Sequence, residues 1–489
     1  MLVGTAFVIA AEKFSSRTMI FQATMLLMAT VVLPADALAV PTKPASSAAT
    51  AAPFEEASLP SWMELGRGLL ESMFVSSNKP AMETKIQLFP WCGEKYYSDL
   101  IREGMNYLER ADDIVMVFES PSASSKCGTS FCNEKKFKFL DYPLPRPPVL
   151  GRTILGPLRY AAMSGASFPT FLHAAPPPKL IEHWCNTIPN FSIPRFVHNI
   201  PPSSTVCAFL PLESLENQHL IDPVLHFKVA GKDAIPKMTS RTTTMLPNTR
   251  PESRPCVAKI SQSMGSRGIF VIRDDADEVE FENFWRNANF PEYVITSCVD
   301  IGRNLACHFF IHPWGDITWF GSSENEPDGC GGWSGDSTMR IDDQENLRAL
   351  LTPYCLDVAK YSNAQGYWGA CGIDVLLDRQ GKGYVVDVNP RVTGTGPALM
   401  IFQKLREKGR EWKYGIFRRS STHFFPGSVD QVLAEVEGFN ASCADCEVFI
   451  LSLCKKNPRS TRLNIAVYGN REEECRLVLN RFATLPQKK

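Results

Sequence analysis

The chain has almost no excess charge. It carries 51 lysines and arginines against 52 aspartates and glutamates, a net charge of −1. That balance excludes a strong electrostatic pull toward nucleic acid or an anionic membrane surface. No internal repeat occurs at solenoid periods, which excludes an array architecture. Paired zinc-type cysteine motifs are lacking too, since Cys443-Ala444-Asp445-Cys446 stands alone. The 15 cysteines are odd in number and scattered, which argues against a disulfide framework and for a reducing compartment. What is there is 489 residues, 44% of them hydrophobic. That is room for two or three domains and a sizeable core, in a chain that is not disordered.

Two apolar, β-branched arms, Gly372–Asp378 and Tyr384–Arg391, flank a turn rich in glycine. With Arg379–Lys382 taken as a four-residue loop, Asp378 faces Gly383 and Asp374 faces Asp387. Side chains alternate along a strand, so Asp387 and Asn389 share a face. Opposed carboxylates about 5 Å apart repel by roughly 3 kcal/mol at an effective dielectric near 20. A hard divalent cation reverses that sign, and two carboxylates with an amide oxygen suit Mg²⁺ held together with phosphates. The plain alternative is the polar face of an exposed hairpin.

A second segment has the opposite charge. Pro255–Ile260 reads as a strand, Ser261–Gly268 as a small, polar, glycine-containing loop, and Ile269–Ile272 as the returning strand. Such a loop offers backbone N–H groups to phosphates, with Lys259 and Arg267 adding charge. It is not a P-loop, because no Gly-Lys-Ser/Thr closes it and no helix follows. It also lacks the dinucleotide fingerprint. An ordinary surface hairpin is the alternative.

Together, Lys259, the loop at Gly265–Gly268, Asp374 and Asp387-Val388-Asn389-Pro390-Arg391 resemble the ATP-grasp superfamily over roughly residues 221–420. The resemblance is to the branch that joins carboxylates to amines, as do D-alanine–D-alanine ligases and the peptide ligases of secondary metabolism. Chains of filamentous fungi have a closely similar core. It implies an α+β ATP-grasp fold, two α+β subdomains gripping ATP. Its cofactors would be ATP and Mg²⁺, with Mn²⁺ as a substitute. Asp374, Asp387 and Asn389 would hold the metal. Lys259 would contact the phosphates beneath a loop formed by Ser263, Gly265, Ser266, Arg267 and Gly268. Arg391 would face the transferred phosphoryl or the acyl-phosphate, making it and Lys259 the catalytic pair. Lys232 would reach the phosphates, with Lys228 as competitor. Val294–Asp300 would run along the adenine, with Asp300 on the ribose. The implied partners are a small carboxylate and an amine, a possible homodimer, and no nucleic acid. A small-molecule kinase and an inactive nucleotide-binding module are the rival readings. Two departures stand out: Gly372 replaces the arginine that D-alanine ligases place before the first metal carboxylate, and Ser297-Cys298 replaces the usual glutamate of the adenine strand.

The remaining regions are read from pattern. Residues 1–60 combine a hydrophobic segment with an Ala/Ser/Pro-rich linker. Met19–Leu33 and Ala37-Leu38-Ala39 look like a signal peptide or a membrane contact over residues 18–34, or a misplaced gene start. ATP chemistry favours the cytoplasm. Residues 61–220 form a small α/β region with a helix over Glu94–Arg110 and a strand over Ile114–Phe118. Proline recurs over 143–204, which predicts loops there. Gly321–Gly335 predicts a mobile cover, and Gly394-Thr395-Gly396-Pro397 a turn lining the substrate pocket. Arg418-Arg419 is either a carboxylate clamp or a solvated pair. Residues 421–489 predict a C-terminal α+β lobe with a helix from Ser428, strands at Val448–Leu453 and Leu463–Gly469, and a helix over Glu472–Phe482.

Overall fold

The β-branched runs sort into three sheets. A computed structural model describes residues 95–483 except 111–112, 124–130, 141–150, 250–252, 289, 328–332, 407–408, 420–423 and 458. The hydrophobic N-terminal segment and Pro143–Pro148 lie outside the described residues. Among those described, no helix is long and apolar enough to cross a membrane.

The first sheet is parallel. Its strands are β1 (Ile114–Val117), β2 (Thr170–Phe171), β3 (Phe196–Val197) and β4 (Thr205–Ala208), in the order β3-β2-β1-β4. The helix Tyr97–Tyr107 precedes it, as the pattern predicted. The second sheet is antiparallel, with β5 (Cys256–Ile260) between β6 (Ile269–Ile272) and β7 (Tyr293–Ser297).

The third sheet dominates the fold. It comprises β8 (Ile301–Ile311), β9 (Ile317–Pro327), β10 (Trp333–Arg340), β11 (Gly369–Asp378), β12 (Gly383–Asn389), β13 (Tyr414–Arg418), β14 (Cys446–Asn457) and β15 (Ser460–Gly469). All its pairs are antiparallel, in the order β12-β11-β8-β9-β10-β13-β15-β14. One face of β8, β9, β11 and β12 packs Leu305, Phe309, Ile373, Val375 and Val385 against Leu351, Val358 and Ala359 of the helix Gln344–Ala364. The opposite face carries the site. The C-terminal strands join this same sheet. Their helices are Val429–Ser442, opened by a capping box between Ser428 and Gln431, and Glu472–Phe482.

Two sequence expectations are corrected. Residues 151–204 are not all loop. They include a π-helix, Gly151–Leu155, and the helices Gly156–Ala161 and Pro178–Thr187. Proline density misleads at Pro178, which sits in the first helical turn, where its missing N–H has no intrahelical acceptor to lose. The supposed cover is largely strand: residues 321–327 belong to β9 and 333–335 to β10, and only the tip, 328–332, lies outside the described residues.

Candidate active site

The acidic pair stands where the resemblance requires, but by another route. The turn register differs by one: Leu377, not Asp378, faces Gly383. The Asp378 side chain instead accepts from the backbone N–H groups of Gln380 and Lys382, and Gly381 takes a φ of +83°. A bulge between Val385 and Asp387 then shifts the ladder back, so Asp374 does pair with Asp387. The bulge also sets the faces. Val385 and Val388 both enter the apolar core, while Asp374 and Asp387 turn to the other side. Without the extra residue, Asp387 would share the core face of Val385.

Cations surround the pair. Lys232 is buried; its Nζ lies 3.2 Å from Asp387 Oδ1 and donates to the Ser263 carbonyl at 3.2 Å. Its competitor Lys228 is exposed. Buried Lys259 donates from Nζ to the carbonyl of Val386, the bulged residue, at 3.1 Å. Burial lowers the Lys259 pKa to about 8, with Asp387 opposing that shift. Burial raises Asp374 to about 7, reinforced by the charge of Asp387. Arg391 donates to Asn389 Oδ1 at 2.7 Å and lays its guanidinium 4.9 Å from the Phe209 ring centroid.

The glycine loop is held from both sides. The Met264 N–H donates to the Leu140 carbonyl, and Ser266 Oγ accepts from the Trp333 N–H at 2.9 Å. At Gly268 φ is +73°, and an added Cβ would come within 2.6 Å of Leu140 and 2.9 Å of Ile260. Only glycine fits there without displacement. Met264, Gly265 and Ser266 line a cleft of about 980 Å³, open to solvent, together with Asp374, Asp387, Asn389 and Arg391. Arg267 is exposed and does not line it. Asp300 also stands apart, its carboxylate bonded to Arg379 Nε at 3.0 Å on the surface.

Sequence reading missed several residues of this cleft. Asn325 on β9 donates to Asp374 Oδ1 at 3.3 Å. His308 on β8 sits opposite Gly372 and bonds Thr393. A Cβ on Gly372 would fall 2.2 Å from Thr393 Cγ2, so any side chain at this position requires Thr393 to move. Burial, aided by Arg391, lowers His308 to about 3, leaving the imidazole neutral. His226, in the helix Pro223–Val229 capped by Asp222, donates from Nε2 to the Pro390 carbonyl at 2.7 Å. It fixes the turn between Asn389 and Arg391. Its pKa is lowered to about 3 by burial, against the effect of that bond. Of the predicted turn Gly394–Pro397, Gly394 and Thr395 line the cleft, while Gly396 and Pro397 instead open the helix Gly396–Arg406. The paired arginines split. Arg419 lines the cleft, whereas Arg418 is clamped to Asp336 at 2.6 Å.

Among the described residues, no group of three or more His, Cys, Asp or Glu is placed to hold a metal. The donor set is two carboxylates and the Asn389 amide, all hard oxygen ligands. A mutually repelling acidic pair, one carboxyl held near 7, fits a divalent cation such as Mg²⁺.

A bulged acidic hairpin thus lies under a glycine loop, with lysines between them. Residues 237–389 match the model of the ATP-grasp family described as L-aspartate–L-methionine ligase, so that stretch is similar to an ATP-grasp domain. Solved structures similar to it include the biotin carboxylase domain of Hydrogenobacter thermophilus 2-oxoglutarate carboxylase, in complex with MgADP. That match has 14% identity over 50% of this chain and a TM-score of 0.35, and spans 63% of that domain, under two thirds. An L-amino acid ligase from Bacillus licheniformis is similar at 12% identity, covering 58% of this chain and 82% of that one, with a TM-score of 0.38. An N5-carboxyaminoimidazole synthase from Aspergillus clavatus, in complex with ADP, is similar at 9% identity, covering 79% and 94%, with a TM-score of 0.40. Among curated proteins, no sequence matches.

Proposed function

We propose that this protein is an ATP-dependent ligase joining a small carboxylate to an amine. The observation that carries the reading is the Asp374–Asp387 pair, ringed by Lys232, Lys259 and Arg391 beneath the loop 263–268. The match to a model for aspartate–methionine ligation supports amino acids as substrates.

In this reading Asp374, Asp387 and Asn389 hold Mg²⁺, which when bound neutralises charge on the phosphates. Lys232 and Lys259 fix the phosphates, and the backbone N–H groups of the loop complete their cradle. The carboxylate oxygen attacks the γ-phosphorus, and ADP leaves. Arg391 stabilises the acyl-phosphate. The amine nitrogen then attacks the acyl carbon, a proton is lost, and phosphate departs with the former carboxylate oxygen. Neither step needs a serine or cysteine nucleophile. Both need water excluded, because water would hydrolyse the acyl-phosphate.

The test is incubation of the full chain with MgATP and pairs drawn from all amino acids. The expected result is phosphate release with particular pairs and a product lighter by one water than their sum. ADP without phosphate, accompanied by a phosphorylated substrate, would establish the kinase instead. Binding of MgATP without turnover on any pair would favour the inactive module.

A further inference from the structure

Beyond the acidic pair, the cleft contains a cation with no counter-ion among the described residues. Arg159, in the helix Gly156–Ala161, is 6% exposed and lines the cleft. One of its terminal nitrogens donates to Tyr160 Oη at 2.6 Å, and its buried Nε has no hydrogen-bond partner. Three buried or cleft-lining acids are already taken. Asp336 pairs with Arg418, Glu119 with His173, and Asp387 with Lys232. Burying a guanidinium without an anion costs several kcal/mol, and the Tyr160 hydroxyl and the rings of Tyr160 and Phe417 offset only part of it.

Aromatic rings separate Arg159 from the reacting end. Its guanidinium carbon lies 4.6 Å from the Tyr160 ring centroid, and the Tyr160 ring packs tilted against Phe118 at 5.7 Å and Phe209 at 5.1 Å. Arg391 lies on Phe209. Two guanidiniums thus flank one aromatic wall of a single cleft. If Arg391 serves the carboxyl being activated, Arg159 is a second, distinct anion site. A planar five-donor fork matches a carboxylate, and the rings of Phe118, Tyr160 and Phe209 suit an apolar body.

We propose that Arg159 binds the carboxylate that is not activated, belonging to an apolar α-amino acid that supplies the amine. This deepens the ligase reading and rests on it. Anchoring that carboxylate would set which amine reaches the acyl-phosphate and would select free amino acids over amines that lack the acid.

The experiment is calorimetric titration of the full chain with L-methionine, L-leucine and L-phenylalanine and with their carboxamides, with and without MgADP. At least one free acid is expected to bind, with its amide at least about thirty-fold weaker, the lower range for truncating one partner of a buried charge pair. Arg159→Gln should abolish that preference and leave MgADP affinity within about two-fold. Arg159→Lys, which keeps the charge but not the fork, should fall between; it also serves as the readout if circular dichroism shows Arg159→Gln unfolded. Equal binding of acid and amide, no binding of any acid, or an unchanged preference in Arg159→Gln would overturn the assignment. A parallel loss of MgADP affinity would hand Arg159 to the nucleotide and overturn it as well. Failure of the wild type to bind MgADP would instead sink the ligase reading, a result separate from the amino-acid titrations run without nucleotide.

Discussion

Replacing Asp374 with asparagine should stabilise the protein while destroying its activity. In the folded chain the Asp374 carboxyl releases its proton near 7, against 3.8 for its ordinary value. Between those pH values the folded state holds more protons than the unfolded one, so stability falls as pH rises across the window. Above about pH 8 the full penalty is present. At roughly 1.36 kcal/mol per tenfold, the difference corresponds to about 4 kcal/mol; part of it relaxes locally, so a gain of about 2–4 kcal/mol is expected for Asp374→Asn at pH 8. The Asn325 contact survives, since the asparagine oxygen still accepts its hydrogen bond. The assay is urea unfolding of both proteins at pH 5 and pH 8, with and without millimolar Mg²⁺. Wild type should lose stability from pH 5 to pH 8 and regain much of it with Mg²⁺. The variant should show a flatter pH response and little response to the ion. A variant no more stable than wild type at pH 8, or one equally stabilised by Mg²⁺, would refute the reasoning.

Asp387→Asn should lose nearly all Mg²⁺-dependent phosphate release while its circular dichroism spectrum stays unchanged. Lys232→Met should weaken ATP binding by about a hundred-fold, the scale for removing a buried charge-assisted contact, whereas exposed Lys228→Met should change it less than about two-fold. Calorimetry on the two variants separates them. His226→Phe leaves the Pro390 carbonyl without its donor and should cost about 1–3 kcal/mol at pH 7.5 by urea unfolding. His226 stays neutral in the fold but protonates when unfolded. Wild-type stability should therefore drop as pH falls below about 6.5, and the variant should drop less. Gly372→Arg should not graft the missing arginine; collision of its Cβ with Thr393 should lower the melting temperature and activity together.

Much of the site was legible because its residues lie on short, patterned segments. The hairpin acids, the lysine-ended strand and the glycine loop each announce themselves by composition. The pairing of Asp374 with Asp387 was reached through a turn register that is one residue off, and the bulge at Val386 cancels the error. Nothing in Tyr384–Val388 marks that bulge, since a valine run reads the same with or without it. Arg159, Tyr160, Phe209, His308 and Asn325 were not legible. They come from elements distant in sequence, and their meeting depends on packing that no local pattern encodes. Arg159 was further hidden inside a proline-rich stretch read as loop. Asp300 and Arg267 are the right residue types at plausible spacing, and here they face solvent outside the cleft lining.

The segment bearing Arg159 rests on the far end of the chain. Ser452 Oγ donates to the Leu155 carbonyl at 2.8 Å, and Trp184 Nε1 donates to the Ile450 carbonyl at 2.8 Å. Leu158, Ala161 and Trp184 share a core with Phe449, Ile465 and Phe482. During synthesis the early segment therefore leaves the ribosome long before its support exists. Residues 221–389 emerge next, and the β14–β15 hairpin comes last. The cleft's own residues are thus all made before the hairpin that props up the segment bearing Arg159. Translation stopped before about residue 445 would release a fragment in which the Leu155 carbonyl and the Trp184 indole lack these partners.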